Sequence, residues 1–389
     1  MNLRIKLLVD YYVGGAIHAI LKPFVIILGH LLKRDHSLTD VREVAIMKLL
    51  GGGSVILAYP SLLALKEKYP DLKLLLVTSP AVGPFAETTG LFDEIIIIRD
   101  TGIFTLMADS IKAIRRLWRI KVLVDLEIHS RLSSIFTLMT CAVNRIGAYT
   151  DLSFWRRSIY THLLFYNKFS PVYYMYDHVV RLLGVEEIDL DAAKARFGKR
   201  IRGDGLPPLS PGKMAIGVAP GCSDLGGERV FTPEQWITIF TKRLPPQENY
   251  AFYFVGGKRD SACAQAVTAG LKNVLPNAEF HDCCGKYSLL DSVKLISRLD
   301  VLYCIDSSPL HFARLLGVKC ISYWGPTGPE MRLRPDPQLG EEAHYVKMSC
   351  SPCIHVAFYP PCLGNNICMK AALEGENYRG ERNPMWVTK

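Results

Sequence analysis

The sequence has no internal repeat at a solenoid period and no low-complexity tract, which argues against a repeat array and against a disordered chain. No small-residue cleavage site follows its N-terminal apolar run, so a removable secretion signal is not expected. Given that absence, the eleven cysteines suit a reducing compartment better than a disulfide framework. No nucleic-acid-binding motif is present and the basic residues are dispersed. The net charge of +9 therefore points to a membrane surface or to nucleotide phosphates, with nucleic acid excluded as a partner.

With 389 residues, 49% of them apolar, the chain can bury a large core and is expected to form two domains. Strand-like and helix-like runs alternate: Val44–Leu49, Leu72–Val77, Glu94–Arg99 and Val122–Asp125 read as strands, Leu62–Tyr69 and Ile111–Trp118 as helices. The alternation resumes with strands at Met214–Val218, Tyr250–Val255 and Val301–Ile305. Parallel sheets with right-handed crossovers follow from such an order. A charged and then Gly- and Pro-rich stretch from Asp191 to Gly212 reads as a linker, assigned to 196–212, between domains at 37–195 and 213–345. Residues 1–36 precede them and a cysteine-rich tail, 346–389, follows.

From Tyr11 to Leu32 only His18, Lys22 and His30 interrupt an apolar run of bilayer-spanning length. Lys22-Pro23 at its middle makes a straight span costly. A kinked or re-entrant pair of helices in one leaflet, on the cytoplasmic face, is the favoured reading, with a single span second. Two basic clusters, Arg115/Arg116/Arg119/Lys121 and Arg156/Arg157, read as solvated faces ahead of anion-binding patches.

The most informative stretch is Ile305-Asp306-Ser307-Ser308-Pro309-Leu310-His311-Phe312-Ala313, followed by Gly325-Pro326-Thr327. Strand Val301–Ile305 leads into Ser308 as N-cap and Pro309 as first helical residue, with Gly317 placed to end the helix. Such a helix terminus presents free N–H groups to an anion, most simply a phosphate.

This block resembles the donor-site signature of glycosyltransferase family 9, the heptosyltransferase-like enzymes, in which Asp-(Ser/Thr)-Gly-x-x-His-x-Ala precedes Gly-Pro-Thr. Ser308 stands where the family usually has Gly, and Gly328 where it often has an acidic residue. The likeness continues in Ala219-Pro220-Gly221 through Arg229-Val230-Phe231-Thr232-Pro233-Glu234 and in Val255-Gly256-Gly257, and extends over roughly residues 42 to 370. It implies an α/β GT-B fold, two Rossmann-like domains facing across a cleft, plus the N-terminal hydrophobic helical segment. It also implies a nucleotide diphosphate-sugar donor held by Gly221, Ser223, Arg229, Asp306, Ser307, Ser308, His311, Gly325 and Thr327. Arg229 replaces the family's phosphate-contacting Lys and adds bidentate capacity.

Lys48-Leu49-Leu50-Gly51-Gly52-Gly53-Ser54 aligns with the family's Gly-rich loop, where an Asp is the expected base; here Ser54 occupies that position. A serine hydroxyl alone is too weak a base for this task. Gly52 and Gly53 still suit acceptor binding. A substitute base is sought in Asp125-Leu126-Glu127-Ile128-His129-Ser130-Arg131, where extended alternation sets Asp125, Glu127 and His129 on one face. Glu127 or His129 is the candidate, with Arg131 on an acidic acceptor. The bland alternative has Asp125 capping a helix and Glu127 paired with Arg131.

Cys350-x2-Cys353-x8-Cys362-x5-Cys368 carries four thiols at a spacing that a structural zinc could use, but a purely structural tail is favoured, and no metal or cofactor is expected. These readings converge on a membrane-associated, inverting glycosyltransferase, hexosyl- or heptosyltransferase-like. Its acceptor is a lipid-linked or cell-envelope glycan, as in lipopolysaccharide or other glycan biosynthesis. Two alternatives stand beside it: a catalytically silent nucleotide-sugar-binding protein, motivated by Ser54, and a nucleotide-sugar epimerase of the same architecture.

Overall fold

The computed structural model describes residues 3–203, 205–223, 226–354, 360, 362, 364–378 and 380. The chain divides into two compact units, Met1–Leu190 and Asp191–Lys389.

In the first unit the order is α1 (Leu3–Leu32), β1 (Glu43–Met47), α2 (Gly52–Lys68), β2 (Lys73–Thr78), α3 (Gly83–Thr89), β3 (Glu94–Ile97), α4 (Ile103–Arg116), β4 (Val122–Asp125), α5 (Arg131–Met139), β5 (Asn144–Tyr149), β6 (His162–Phe165) and α6 (Tyr173–Leu182). The second unit has α7 (Leu190–Ile201), β7 (Met214–Ala219), α8 (Pro233–Arg243), β8 (Tyr250–Phe254), α9 (Ser261–Leu271), β9 (Glu279–Asp282), α10 (Leu289–Ile296), β10 (Val301–Ile305), α11 (Ser308–Leu315), β11 (Lys319–Trp324), β12 (Glu342–Tyr345) and α12 (Ile367–Glu374).

Each unit is built on a six-stranded parallel sheet, ordered β3-β2-β1-β4-β5-β6 in one and β12-β11-β10-β7-β8-β9 in the other. Central strands such as β4, β8 and β10 are buried at every residue, as expected of sheets covered by helices on both faces. These are the two Rossmann-like domains of the GT-B class. Strand order reverses between β1 and β4 in the first and between β7 and β10 in the second. In each unit, the loops leaving the carboxyl ends of those two strands border that sheet's own crevice, where open α/β sheets bind ligands.

Three elements depart from the sequence reading. Helix α2 begins at Gly52, not Leu62, because Gly51 adopts a left-handed φ of 79° at its N-cap and turns the glycine-rich loop into the first helical turn. Helix α4 begins at Ile103 rather than Ile111. The first half of the stretch read as a linker after Asp191, including 196–201 of the assigned linker, is helix α7, whose Ala193, Phe197 and Ile201 recur every fourth residue and are buried. It belongs to the second unit: Phe197 stacks on Phe312 at 6.1 Å and Lys194 Nζ donates to Asp336 Oδ2 at 2.7 Å. The charges that suggested a linker lie on its outer faces.

The N-terminal segment is one helix, not a pair, and Leu8–Leu32 is long and apolar enough to cross a membrane. Its polarity is inverted relative to a water-soluble surface helix. Asp10, Gly14, His18 and Lys22, spaced by four, form the stripe that faces the domain. Asp10 accepts from Ser130 Oγ at 2.7 Å and from the backbone N–H groups of Arg131 and Leu132, both at 2.9 Å, at the N-terminus of α5. A Cβ on Gly14 would meet Arg131 Cβ at 2.9 Å, so the glycine admits the close crossing. His18 packs edge-on against Trp155 and Lys22 Nζ donates to the Trp155 carbonyl at 3.3 Å. The outer face carries Tyr12, Val13, Ile17, Ile20, Phe24, Ile27 and Leu31, all exposed. Lys22, the charge that made a straight span costly, is thus satisfied by protein, as is Asp10 just before the apolar run.

Candidate functional site

In the second unit, the segment after β10 begins with Asp306, whose carboxylate is buried. Arg229, in the short turn Gly227–Arg229 that follows the β7 loop, donates through Nη1 to Asp306 Oδ2 at 3.0 Å and to its carbonyl at 2.7 Å. His311 Nε2 lies 4.0 Å from Asp306 Oδ1. Burial alone would raise the Asp306 carboxyl, but Arg229, Arg332 and His311 hold it below the ordinary carboxylate range. Asp306 is thus anchored by Arg229 and does not cap α11.

The helix starts one residue earlier than the sequence reading, with Ser307 as N-cap, Ser308 first and Pro309 second. The Ser307 hydroxyl makes no capping bond. Ser307 Oγ and His311 Nδ1 are buried and find no hydrogen-bond partner among the described residues, whereas the buried Thr327 hydroxyl has only the Asp306 carboxylate to engage. An orphaned buried polar atom costs about 1–3 kcal/mol, so two of them at one switch point are expensive unless a ligand engages them. With the amide groups of the α11 N-terminus and the Arg229 cation, they suit an anionic, hydroxyl-rich molecule.

The loops that shape this site explain its glycines. A Cβ on Gly221 would fall 2.0 Å from Asp260 Oδ1, and one on Gly256 2.4 Å from Asp260 Oδ2. Asp260 in turn accepts from the Gly257 N–H at 2.8 Å. Gly325 lies against the tail: a Cβ there would meet Met369 Sδ at 2.6 Å and Cys368 Sγ at 2.9 Å. The Cys353 N–H donates to the Pro326 carbonyl at 3.0 Å. The cysteine-rich tail therefore buttresses the Gly325-Pro326-Thr327 turn. Among the described residues, no group of three or more His, Cys, Asp or Glu is arranged to hold a metal.

Burial pushes the His311 imidazole down to about 4 from 6.5, so the ring is neutral at pH 7. Between these values the unfolded chain binds the proton that the folded domain refuses. The resulting stability is complete above pH 6.5 and is lost as the pH falls toward 4, an effect on the order of 3 kcal/mol. H311Q is expected to flatten the fall in urea midpoint between pH 6.5 and 4.5; an unchanged slope would place the acid sensitivity elsewhere.

In the first unit, the loop after β1 meets the segment after β4. Glu127 Oε1 accepts from Lys48 Nζ at 3.0 Å and from the N–H groups of Leu49 and Leu50 at 2.7 and 2.9 Å. Although burial alone would raise it, Lys48 and those N–H groups keep the Glu127 carboxyl below its ordinary range. The extended alternation expected here stops at Asp125, the last residue of β4. Asp125 is fully buried and accepts from Arg156 Nη2 at 2.5 Å, from Ser133 Oγ at 2.8 Å and from the Tyr160 hydroxyl. Arg156, read from sequence as part of a surface cluster, is therefore a core residue that also donates to the carbonyls of Ala148 and Glu127.

His129 keeps solvent access; partial desolvation, and then the Arg156 charge, shift its ring below the ordinary value and leave it neutral at pH 7. Arg131, expected on an acceptor, stacks instead on the Tyr11 ring at 4.4 Å and donates to the Tyr11 carbonyl, which ties it to α1. Ser54 lies in the first turn of α2, its N–H donating to the Gly51 carbonyl at 2.9 Å. Gly52 is required by the neighbouring ring of Phe85, which a Cβ would meet at 2.3 Å. Gly53 follows it in the same turn. Ser223, expected at the donor, follows Cys222, whose carbonyl accepts from Arg259. The sequence reading missed Lys48, Asp260 and Arg332. Only Asp260 left a trace, as the carboxylate three residues beyond the Gly-Gly turn.

Residues 133–356, more than half of the chain, match the profile described as "Glycosyltransferase family 9 (heptosyltransferase)". No curated protein matches the sequence. Among solved structures, the glycosyl transferase family 9 from Veillonella parvula is 20% identical with a TM-score of 0.60, the match covering 79% of this chain and 87% of that one. E. coli ADP-heptose lps heptosyltransferase II is 15% identical with a TM-score of 0.58, covering 86% and 100%. E. coli heptosyltransferase WaaC with ADP-2-deoxy-2-fluoro heptose is 14% identical with a TM-score of 0.57, covering 77% and 95%.

Proposed function

Because the chain belongs to glycosyltransferase family 9, a group of GT-B enzymes acting on nucleotide-sugars, we propose that it is a membrane-associated, inverting transferase. It moves a sugar from a nucleotide diphosphate-sugar to a lipid-linked or cell-envelope glycan. The observation that carries the donor assignment is the convergence of two orphaned buried groups, Ser307 Oγ and His311 Nδ1, with the Arg229–Asp306 pair at the β7/β10 switch point.

The family's requirements are neutralisation of the leaving diphosphate and deprotonation of the acceptor hydroxyl. Arg229 and the N-terminus of α11 meet the first. His129 meets the second: it is neutral, solvent-accessible and placed after β4. Glu127 is a weaker base, since three donors already stabilise its charged form. It acts instead by fixing the loop 48–50 ahead of the α2 N-terminus, where Gly52, Gly53 and Ser54 present N–H groups and a hydroxyl to the acceptor.

Protein reconstituted in lipid with a nucleotide diphosphate-sugar and a lipid-linked acceptor is expected to release nucleotide diphosphate and form a product of inverted anomeric configuration, read by NMR. Release with retained configuration would remove the inverting mechanism. Donor binding with no release for any acceptor would favour the silent binder that Ser54 also suggests.

A further inference from the structure

We propose that α4 is a second membrane-contact element, laid on an anionic lipid surface beside α1. This rests on the membrane-associated reading of α1 and extends it to a separate surface.

At roughly 100° per residue, Ile103, Phe104, Met107 and Ile111 fall within one arc of α4, and Trp118 continues it in the turn beyond the helix. All five are exposed, Phe104 to 86%. The adjoining arc is basic, formed by Lys112 and Arg115 with Arg119 in the same following turn. No ion pair to these three occurs among the described residues, whereas Arg116, farther round, is bound to Glu94 at 2.8 Å and Glu43 at 3.4 Å. The flank with Leu106, Ala113 and Leu117 packs into the core under the sheet, and the half-buried Ile114 marks the edge where the exposed apolar arc meets it. A helix that only needs to be soluble places polar residues on its outer arc. An exposed apolar arc flanked by unpaired cations is the pattern of a helix seated at a lipid interface, with side chains in the acyl boundary and cations on headgroups.

Two observations choose the occupant. Helix α5 packs against both α1 and α4 and exposes Leu132 and Met139, so the apolar surface of α4 lies on the same side of the unit as the inverted face of α1. A second copy docked symmetrically through α4 would bring two sets of Lys112, Arg115 and Arg119 together, which like-charge repulsion opposes. Anionic headgroups meet those cations with opposite charge.

The test places a photo-crosslinking phenylalanine analogue at Phe104, and separately at Ile20 on the outer face of α1, in the full chain in nanodiscs of phosphatidylcholine with or without phosphatidylglycerol. The expected result is a lipid adduct at both positions. At position 104 the yield should rise with phosphatidylglycerol and drop roughly tenfold or more in K112E/R115E/R119E, since each basic residue near such a surface contributes about a fivefold factor. Lipid adducts at 20 but not at 104 would overturn this inference and leave the α1 reading standing. A protein–protein adduct at 104 would replace lipid by a second copy, and no adduct at either position would remove both.

Discussion

Replacing His129 with alanine is expected to lower the transfer rate by about 10²–10⁴-fold, the usual contribution of a positioned general base, with donor affinity unchanged. The sequence reading places Ser54 where the family's aspartate is expected, and the two carboxylates of the β4 segment are committed elsewhere. Asp125 is locked to Arg156, Ser133 and Tyr160 in the core, and Glu127 to Lys48 and two backbone N–H groups. His129 is left as the neutral group with solvent access. Because its ring titrates below the ordinary histidine value, activity should persist somewhat below pH 6.5 before the base is lost. The exposed position means H129A should melt like the parent. Steady-state rates at saturating donor, together with donor binding by calorimetry, check the split. An H129A enzyme of normal rate would place the base outside the β4 segment.

R229A is expected to abolish measurable donor binding and also to destabilise the second domain by about 3–5 kcal/mol, the usual result of stripping one partner from a buried ion pair. The guanidinium satisfies both the carboxylate and the carbonyl of Asp306. Removing it leaves a buried charge beside the orphaned Ser307 hydroxyl. The double variant R229A/D306N separates the two roles. Its midpoint in urea should recover toward the parent because the uncompensated charge is gone, while donor binding stays lost. R229K should keep charge but lose one of the two contacts, giving an intermediate affinity. If R229A bound donor as the parent does, the diphosphate would lie elsewhere on the domain.

The fold was legible because parallel strands buried on both faces must be written as continuous apolar runs. Val122–Asp125 and Val301–Ile305 appear at those same limits in the structure. Helix starts were less so: Gly51 to Ser54 read as a loop because glycine disfavours helix, yet a left-handed Gly51 makes the next three residues a helical turn. Helix α7 was hidden by its own surface charge. At the proposed donor site, the strand-turn-helix block survives with a one-residue shift of the N-cap. In the first unit the sequence showed which carboxylates follow β4 but not their partners. Arg156 lies 31 positions from Asp125 and Lys48 lies 79 from Glu127, and no local pattern encodes a pairing at such separations. The polar stripe of α1 was equally hidden, because Asp10, His18 and Lys22 acquire meaning only once α5 and Trp155 are beside them.

The most direct measurement is the thermal stability of the detergent-solubilised full chain against ADP-, UDP-, GDP- and CMP-linked sugars. A ligand at 100 times its dissociation constant adds about 2.7 kcal/mol. One nucleotide class should raise the melting temperature selectively, and R229A/D306N should lose that rise. A folded protein that shifts with no member of the panel would contradict a nucleotide-sugar site at the β7/β10 switch point, and with it the transferase reading.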